Sequence, residues 1–369
     1  MAKYKIRSIT LHVPPHMALQ VLSDIESYTS RLLEAVDTVA SETGHEIETA
    51  RIVTAVGDPS RIPVAPEDLG EAARASGVLV SIGPVPSGIA DKRRDELLSL
   101  AENGVFFNIV LEEATWEHAR IASEIIHAAA EKDPSVPTLF GVNTYGKPLV
   151  TPYYPLASPH DGDRPAVTAS LTYPSYLLDA YRSGGYKGIV EAAASAGREA
   201  LGALEIASTA LNSEALGVDL SVAPWMEESS LALVEYVAGV RMPEPGFLLG
   251  VYTVNRAISE AASLLGEKAV GFNELQLPIA EDLKLKKRVA ELDTTARDLA
   301  RFSCVCLAGL DLAVVPASVK GVAGLILDVA ACSLTKNKPL GVRIVPLEDV
   351  EPGEKVWLDK FGETPVIPL

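Results

Sequence analysis

The first third of the chain alternates short β-like runs with amphipathic helical ones, and that alternation is the strongest constraint on its fold. KIRSITLHV (5–13) has a period of two, which sets Arg7, Ile9 and Leu11 on one face and Ser8, Thr10 and His12 on the other. A helical stretch at about 17–43 follows and stops at Gly44. RIVTAV (51–56), GVLVSIG (77–83) and GVFFNIVLE (104–112) read as further strands. Helical segments separate them, and the amphipathic TWEHARIASEIIHAAAEK comes next. Strands that alternate with helices predict an α/β class with a largely parallel sheet under helical cover. The pattern does not choose between an open sheet and a barrel.

The rhythm breaks at 141–165, GVNTYGKPLVTPYYPLASPHDGDRP, which is too long and too rich in Pro, Gly and Tyr for an ordinary connection. Connections of that length in a compact domain are usually functional or mobile, and the tyrosines and apolar residues suggest that this one packs. Tyr145, Tyr153 and Tyr154 suit a cleft or an interface equally well. Beyond it come AVTASL (166–171), Ala-rich helices (186–215) and GVDLSVAP (217–224). Helices around 227–240 and 247–265 precede a helical stretch at about 280–307. AVVP, a helix at 321–333 and GVRIVPL (341–347) complete the pattern. No repeat interrupts it, so 1–369 reads as a single domain.

Composition removes several function classes. With 48% hydrophobic and 22% charged residues the chain can bury a large core. A net charge of −17 argues against nucleic acid as a partner, and the short basic run LKLKKR (283–288) reads as a solvated helix face. The start of the sequence lacks the apolar region of a signal peptide, and no stretch approaches the ~20 apolar residues of a membrane span. The expectation is a cytoplasmic protein with no membrane partner. Three cysteines in 369 residues do not make a disulfide scaffold.

Several separated segments together resemble the domain of unknown function 711 family. KIRSIT (5–10) is similar to its opening strand and SIGPVPSGI (81–89) to its Ile-Gly-x-x-x-Ser-Gly-Ile turn. LGVDLSVAP (216–224), LPIAED (277–282), CLAGLD (306–311) and PLGVRIVP (339–346) are similar to later family segments, with the match closest from about 186 onward. The chain departs from the family pattern by being shorter between 56 and 77 and by carrying Glu228-Ser229 where relatives have Asp-Ser. The resemblance implies a ten-stranded α/β barrel like that of pyruvate formate-lyase, with a loop projecting inside and an activity that is not established for the family. Glycyl radical enzymes with that barrel keep a radical glycine in an Arg-Val-x-Gly-aromatic context. GVRI (341–344) is not such a motif, so no glycyl radical is expected.

The chemistry-bearing candidates are mostly acidic. Cys304 and Cys306 are one residue apart, the wrong spacing for a zinc site, and on a helix they would point about 200° apart. Cys306 is then either a packed small residue or a lone thiol nucleophile. Asp219 and Ser221 share one strand face, and Asp311 enters an otherwise apolar segment just after Gly309. Buried carboxylates must be hydrogen-bonded, paired or metal-bound. Asp311, Asp219 and Cys306 are therefore the catalytic candidates, and Glu281 and Asp282 the candidate ligands of a divalent cation. Arg7, Arg343, Ser221 and the turn holding Gly83, Ser87 and Gly88 are candidates for receiving a small anionic molecule. The same charges would equally suit an Arg–Asp lattice that holds the barrel ends together. Two readings remain open: a non-radical enzyme or binding protein with that site, or a structural or self-assembling homo-oligomer with a filled barrel and no catalysis.

Overall fold

The computed structural model describes residues 4–147, 149–305 and 309–369. Nine strands make one sheet: β1 (Lys5–His12), β2 (Ile47–Val53), β3 (Leu79–Pro86), β4 (Phe106–Val110), β5 (Phe140–Asn143), β6 (Ala166–Thr172), β7 (Glu214–Asp219), β8 (Gly309–Pro316) and β9 (Gly341–Leu347). Their spatial order is β7-β6-β1-β2-β3-β4-β5-β9-β8. β1 to β5 run parallel, as the helical crossovers require. β6 lies antiparallel beside β1 and leads in parallel to β7. At the other edge β9 is antiparallel to β5 and parallel to β8.

This is a mixed α/β architecture, but its ladders do not include the ten-stranded closure that the family resemblance implies. Among the described residues no ladder joins β7 to β8. Single parallel bridges, Val218 to Ala269 and Val222 to Leu275, extend the pairing past β7. β5 lies within the start of the segment expected to be a loop; it is only four residues long and holds Gly141, too short to show a period.

One face of the sheet carries Ile9, Leu11, Ile52, Val80, Ile82, Phe107 and Ile109, all buried in one apolar cluster under the helices. Burying such side chains contributes about 1.5–3 kcal/mol each and supplies most of the drive to fold. The covering helices are capped locally: Thr115 accepts from His118 N–H before Trp116–Lys132, and Ser318 from Gly321 N–H before Val319–Lys336. The long Ala-rich helix starts earlier than its composition suggests, at Pro174–Leu211, and breaks at Gly185 (φ 60°, ψ −146°), where the backbone leaves helical geometry.

The opposite face of the sheet is polar, and the 144–165 segment lies along it. His12 on β1 bonds the Ser158 carbonyl through Nδ1 (2.6 Å) and Thr168 of β6 through Nε2 (2.8 Å). Asn108 on β4 donates to the carbonyls of Pro155 (3.1 Å) and Ala157 (3.3 Å). Arg51 on β2 donates to Pro152 (2.7 Å). The segment is therefore bound to strands rather than swinging over them, and it includes the cis peptide Tyr154–Pro155.

The stretch expected as one helix at 280–307 is three pieces: a 3₁₀ turn Ile279–Glu281, then Leu283–Val289 and Ala296–Phe302. Cys304 thus lies beyond the last helix, not on it, and is disulfide-bonded to Cys332 on Val319–Lys336. The local view of the pair 304/306 concealed a partner 28 residues away. Cys306 lies outside the described residues. The basic run 283–288 is not a solvated face. Arg288 is buried against Glu235 (2.8 Å), and buried Lys286 donates to the Phe361 carbonyl. Among the described residues no helix is long and apolar enough to cross a membrane.

Candidate functional site

Two strand irregularities set up the site. The β1–β6 register shifts between Ile6 and Ser8, a bulge at Arg7. Strict alternation would have sent Arg7 into the apolar core with Ile9 and Leu11. The extra residue re-aims it toward the polar side. On β8 a second shift lies between Asp311 and Ala313, where Leu312 takes φ 51°. Just before that shift Asp311 is the direct cross-strand partner of Arg343 on β9.

Between these strands Glu281, the last residue of its 3₁₀ turn, reaches both arginines. Its Oε2 accepts from Arg7 Nη2 (2.5 Å) and its Oε1 from Arg343 Nη2 (3.1 Å). Arg343 also grips Asp311 with both ends of its fork, Nε to Oδ1 at 2.6 Å and Nη2 to Oδ2 at 2.9 Å. Backbone carbonyls take two more donors, Pro224 from Arg7 Nη1 (2.7 Å) and Thr138 from Arg343 Nη1 (3.2 Å), while Arg7 Nε is buried with no partner among the described residues. The four charged groups form one chain, Arg7–Glu281–Arg343–Asp311, across the two antiparallel halves of the sheet.

The two carboxylates are driven apart electrically. Burial opposes ionisation of Glu281, but the Arg7 and Arg343 guanidiniums outweigh it and lower its pKa. Burial wins for Asp311, whose pKa is raised despite Arg343, with the Glu281 charge adding to the rise. Asp311 keeps 31% of its side chain open, whereas Glu281 keeps 9%. Burial also opposes the charge on Arg343, yet Asp311 and Glu281 overcome it and raise its pKa.

Above this chain of charges is a pocket of about 460 Å³, bordered by Arg7, Arg51, Glu281, Asp311, Arg343 and Lys360. A chamber of about 40 Å³ adjoins it, sharing Tyr153, Tyr154, Gln276, Asp311 and Arg343 as walls. Its floor includes Gly309 and Gly341, where a Cβ would come 1.9 Å from the Gly341 carbonyl oxygen and 2.2 Å from Leu156, so only glycine fits. Aromatic rings line the larger space. The Arg7 guanidinium is 5.6 Å from the Trp225 ring and the Arg51 guanidinium 5.3 Å from Tyr154.

Two cations here make no ion pair among the described residues, although the Glu281 charge reaches both. Arg51 is buried at 7% exposure, bonded only to Thr49 Oγ1 and the Pro152 carbonyl, and no carboxylate of the described residues pairs with it. Burial and the neighbouring Arg7 charge pull its pKa down to about 10, so it stays protonated at neutral pH. Lys360 stands at the mouth on the turn Asp359–Phe361, its ammonium 5.9 Å from the Phe106 ring and 5.2 Å from that of Phe361. It too lacks an ion-pair partner among the described residues. At the rim Lys5 meets Glu46 (2.6 Å) and Glu48 (3.9 Å) in solvent.

The structure thus brings together Arg7, Arg343, Asp311 and Glu281 and places the other sequence candidates elsewhere. Asp219 is saturated: its oxygens accept from Thr151 Oγ1, Ser221 Oγ and the N–H groups of Ser221, Phe272 and Asn273. Ser221 in turn receives the Glu274 N–H, so this pair ties β7 to the 270–275 segment. Asp282 points away from its neighbour Glu281 and caps Leu283–Val289 through the Lys284 and Leu285 N–H groups. The two carboxylates therefore do not converge on a shared ion. Among the described residues no cluster of His, Cys, Asp and Glu could hold a metal. The turn at Gly83 already has its own anion: Glu112 Oε2 accepts the Gly88 N–H (2.9 Å), and Ser87 Oγ is 2.7 Å from His118 Nδ1. Arg51 and Lys360 were not singled out from sequence. Arg51 opens an ordinary β-like run, and nothing marks Lys360.

A family model described as an uncharacterised ACR, DUF711, matches residues 188–359. A UPF0210 protein of Methanopyrus kandleri is 31% identical over 156 residues, 41% of this chain and 34% of that protein. One of Pyrobaculum arsenaticum is 32% identical over 141 residues, 37% and 32% of the two chains. One of Lactobacillus helveticus is 28% identical over 169 residues, 44% and 38%. The chain thus spans about a third of the length of the curated relatives it matches. The span 188–359 holds Glu281, Asp311 and Arg343, and Arg7, Arg51 and Lys360 lie outside it.

Proposed function

We propose that this chain, whose residues 188–359 belong to the uncharacterised DUF711 family, binds a small anionic molecule in the pocket over the Arg7–Glu281–Arg343–Asp311 chain. The observation that carries this reading is Arg51, a guanidinium buried in a pocket wall without an ion-pair partner among the described residues. A buried cation costs stability unless something supplies the missing charge, and a pocket of about 460 Å³ lets a ligand supply it. Arg7 and Arg343, the cations expected to receive the anion, already have their charge met by Glu281 and Asp311. Their part is to hold the floor, while Arg51 and Lys360 meet the ligand.

Asp311 is the group best suited to chemistry on a bound ligand. It opens onto both chambers and its pKa is raised, as general acid–base work at neutral pH requires. A non-radical proton transfer to or from the ligand is the reaction class that fits. A single domain of barrel type suits this reading. One apolar cluster includes both Ile6 and Ile367, and the bridges at Val218 and Val222 extend the pairing past β7.

The test is thermal melting with a panel of small carboxylates, phosphate and chloride at constant ionic strength. Stabilisation by particular anions, lost in Arg51→Gln, supports the reading. Equal responses in both proteins, or none, would remove it. A second reading, assembly into a homo-oligomer, is favoured by Leu249 (68% exposed) and Leu264 (61%) on the helix Phe247–Leu265. Light scattering that finds a monomer would exclude it.

A further inference from the structure

We propose that the ligand of this pocket is a small dianion, a dicarboxylate or a phosphomonoester, that neutralises Arg51 and Lys360 together. This rests on the anion-binding reading above and adds the ligand's charge. Five cations border the pocket, Lys5, Arg7, Arg51, Arg343 and Lys360, against four carboxylates, Glu46, Glu48, Glu281 and Asp311; away from the rim group of Lys5, Glu46 and Glu48, the inner wall holds four cations and two carboxylates. The surplus is localised. Glu281 and Asp311 are both spent on Arg7 and Arg343 at 2.5–3.1 Å. Arg51 and Lys360 are left, and each is near enough to feel the other's charge. The rim acids Glu46 and Glu48 do not offset them, because they face Lys5 and Thr172.

A monoanion held by the buried Arg51 would leave Lys360 to the solvent at the mouth of a pocket walled by Tyr154, Phe106 and Trp225. A dianion engages both cations. Arg51 bonds through Nε and Nη1 only among the described residues, so its Nη2 is available to an oxyanion such as a carboxylate or phosphate. Lys360 supplies a point charge from the mouth, which sets how far the second anionic group lies from the first. The volume of about 460 Å³ suits a ligand of small-metabolite size and excludes a polymer segment.

Calorimetric titration of the full chain at pH 8 and fixed ionic strength tests this with matched pairs: succinate against butyrate, and inorganic phosphate against dimethyl phosphate. The expected result is that one dianion binds at least tenfold more tightly than its monoanionic counterpart, and the responding pair tells dicarboxylate from phosphate. Arg51→Gln and, at the solvent-exposed mouth, Lys360→Gln should each cut that advantage to below threefold. If monoanions bind as well as dianions and Arg51→Gln weakens both, the dianion assignment falls while anion binding stands. If no anion binds, or neither variant changes binding, both fall.

Discussion

Replacing Glu281 by glutamine separates the structural role of the buried charges from their role toward a ligand. Among the described residues Glu281 is the sole carboxylate that pairs with Arg7, and it shares Arg343 with Asp311. Both arginine side chains are at most 10% exposed. Removing one partner from a buried pair typically costs 3–5 kcal/mol. The amide can still accept a hydrogen bond, so about 3 kcal/mol is the expected loss here. An unfolding entropy of roughly 2 cal/mol/K per residue over 369 residues translates each kcal/mol into about 1.3 °C, a drop of about 4 °C in melting temperature. The pocket simultaneously gains a positive charge. At a separation of about 6 Å and an effective dielectric near 20 that is worth about 3 kcal/mol to a bound anion, and roughly half after screening by salt. Anion affinity should therefore rise about tenfold as stability falls, and added anion should recover more melting temperature in the variant than in the parent. Scanning calorimetry with and without phosphate or succinate measures both. An unchanged melting temperature, or affinity that falls together with stability, would refute the counter-charge role of Glu281.

Further predictions concern the scaffold. The Cys304–Cys332 bond closes a loop of 28 residues, for which the chain-entropy model gives about 3–4 kcal/mol, so Cys332→Ser should lower stability by that order and abolish the effect of reductant on melting. His12 is fully buried, and burial drives its pKa down to about 4, with His160 adding to the fall and the Ser158 carbonyl partly offsetting it. The unfolded chain then binds the extra proton first as pH falls below the usual 6.5, so the neutral form's stability is complete above that value. About 3 kcal/mol should be lost on descending to pH 4, and acid titration of His12→Gln should show a shallower decline. Burial lowers the pKa of Arg51, to about 10, and that of Lys360, so anion affinity should be full at neutral pH and weaken as pH rises toward and past 10.

The periodic features of the chain were legible. The strand at Gly341–Leu347 and the helix at Phe247–Leu265 fall where the pattern puts them, because buried faces repeat along the chain. Asp311, Arg343, Arg7 and Glu281 were recognisable as charges placed in apolar company. Their assembly was not, because it depends on two bulges: alternation assigns Arg7 to the face of Ile9, and only the register shift brings it to Glu281. Asp219 drew the same suspicion as Asp311, yet backbone N–H groups from 272–273 neutralise its interest, and those bonds join residues 53 and 54 positions apart. Arg51 became conspicuous only through a missing partner, which no sequence pattern records. Cys304 was judged against its neighbour at 306 although its partner was distant in sequence.

The central claim is that Arg51 and Lys360 together form an anion site. A crystal soaked with selenate, a dianion whose selenium scatters anomalously, tests it by position. The account predicts the strongest anomalous peak inside the pocket within hydrogen-bond reach of the Arg51 guanidinium and facing Lys360. Selenate bound only at surface lysines, with the pocket empty, would contradict it.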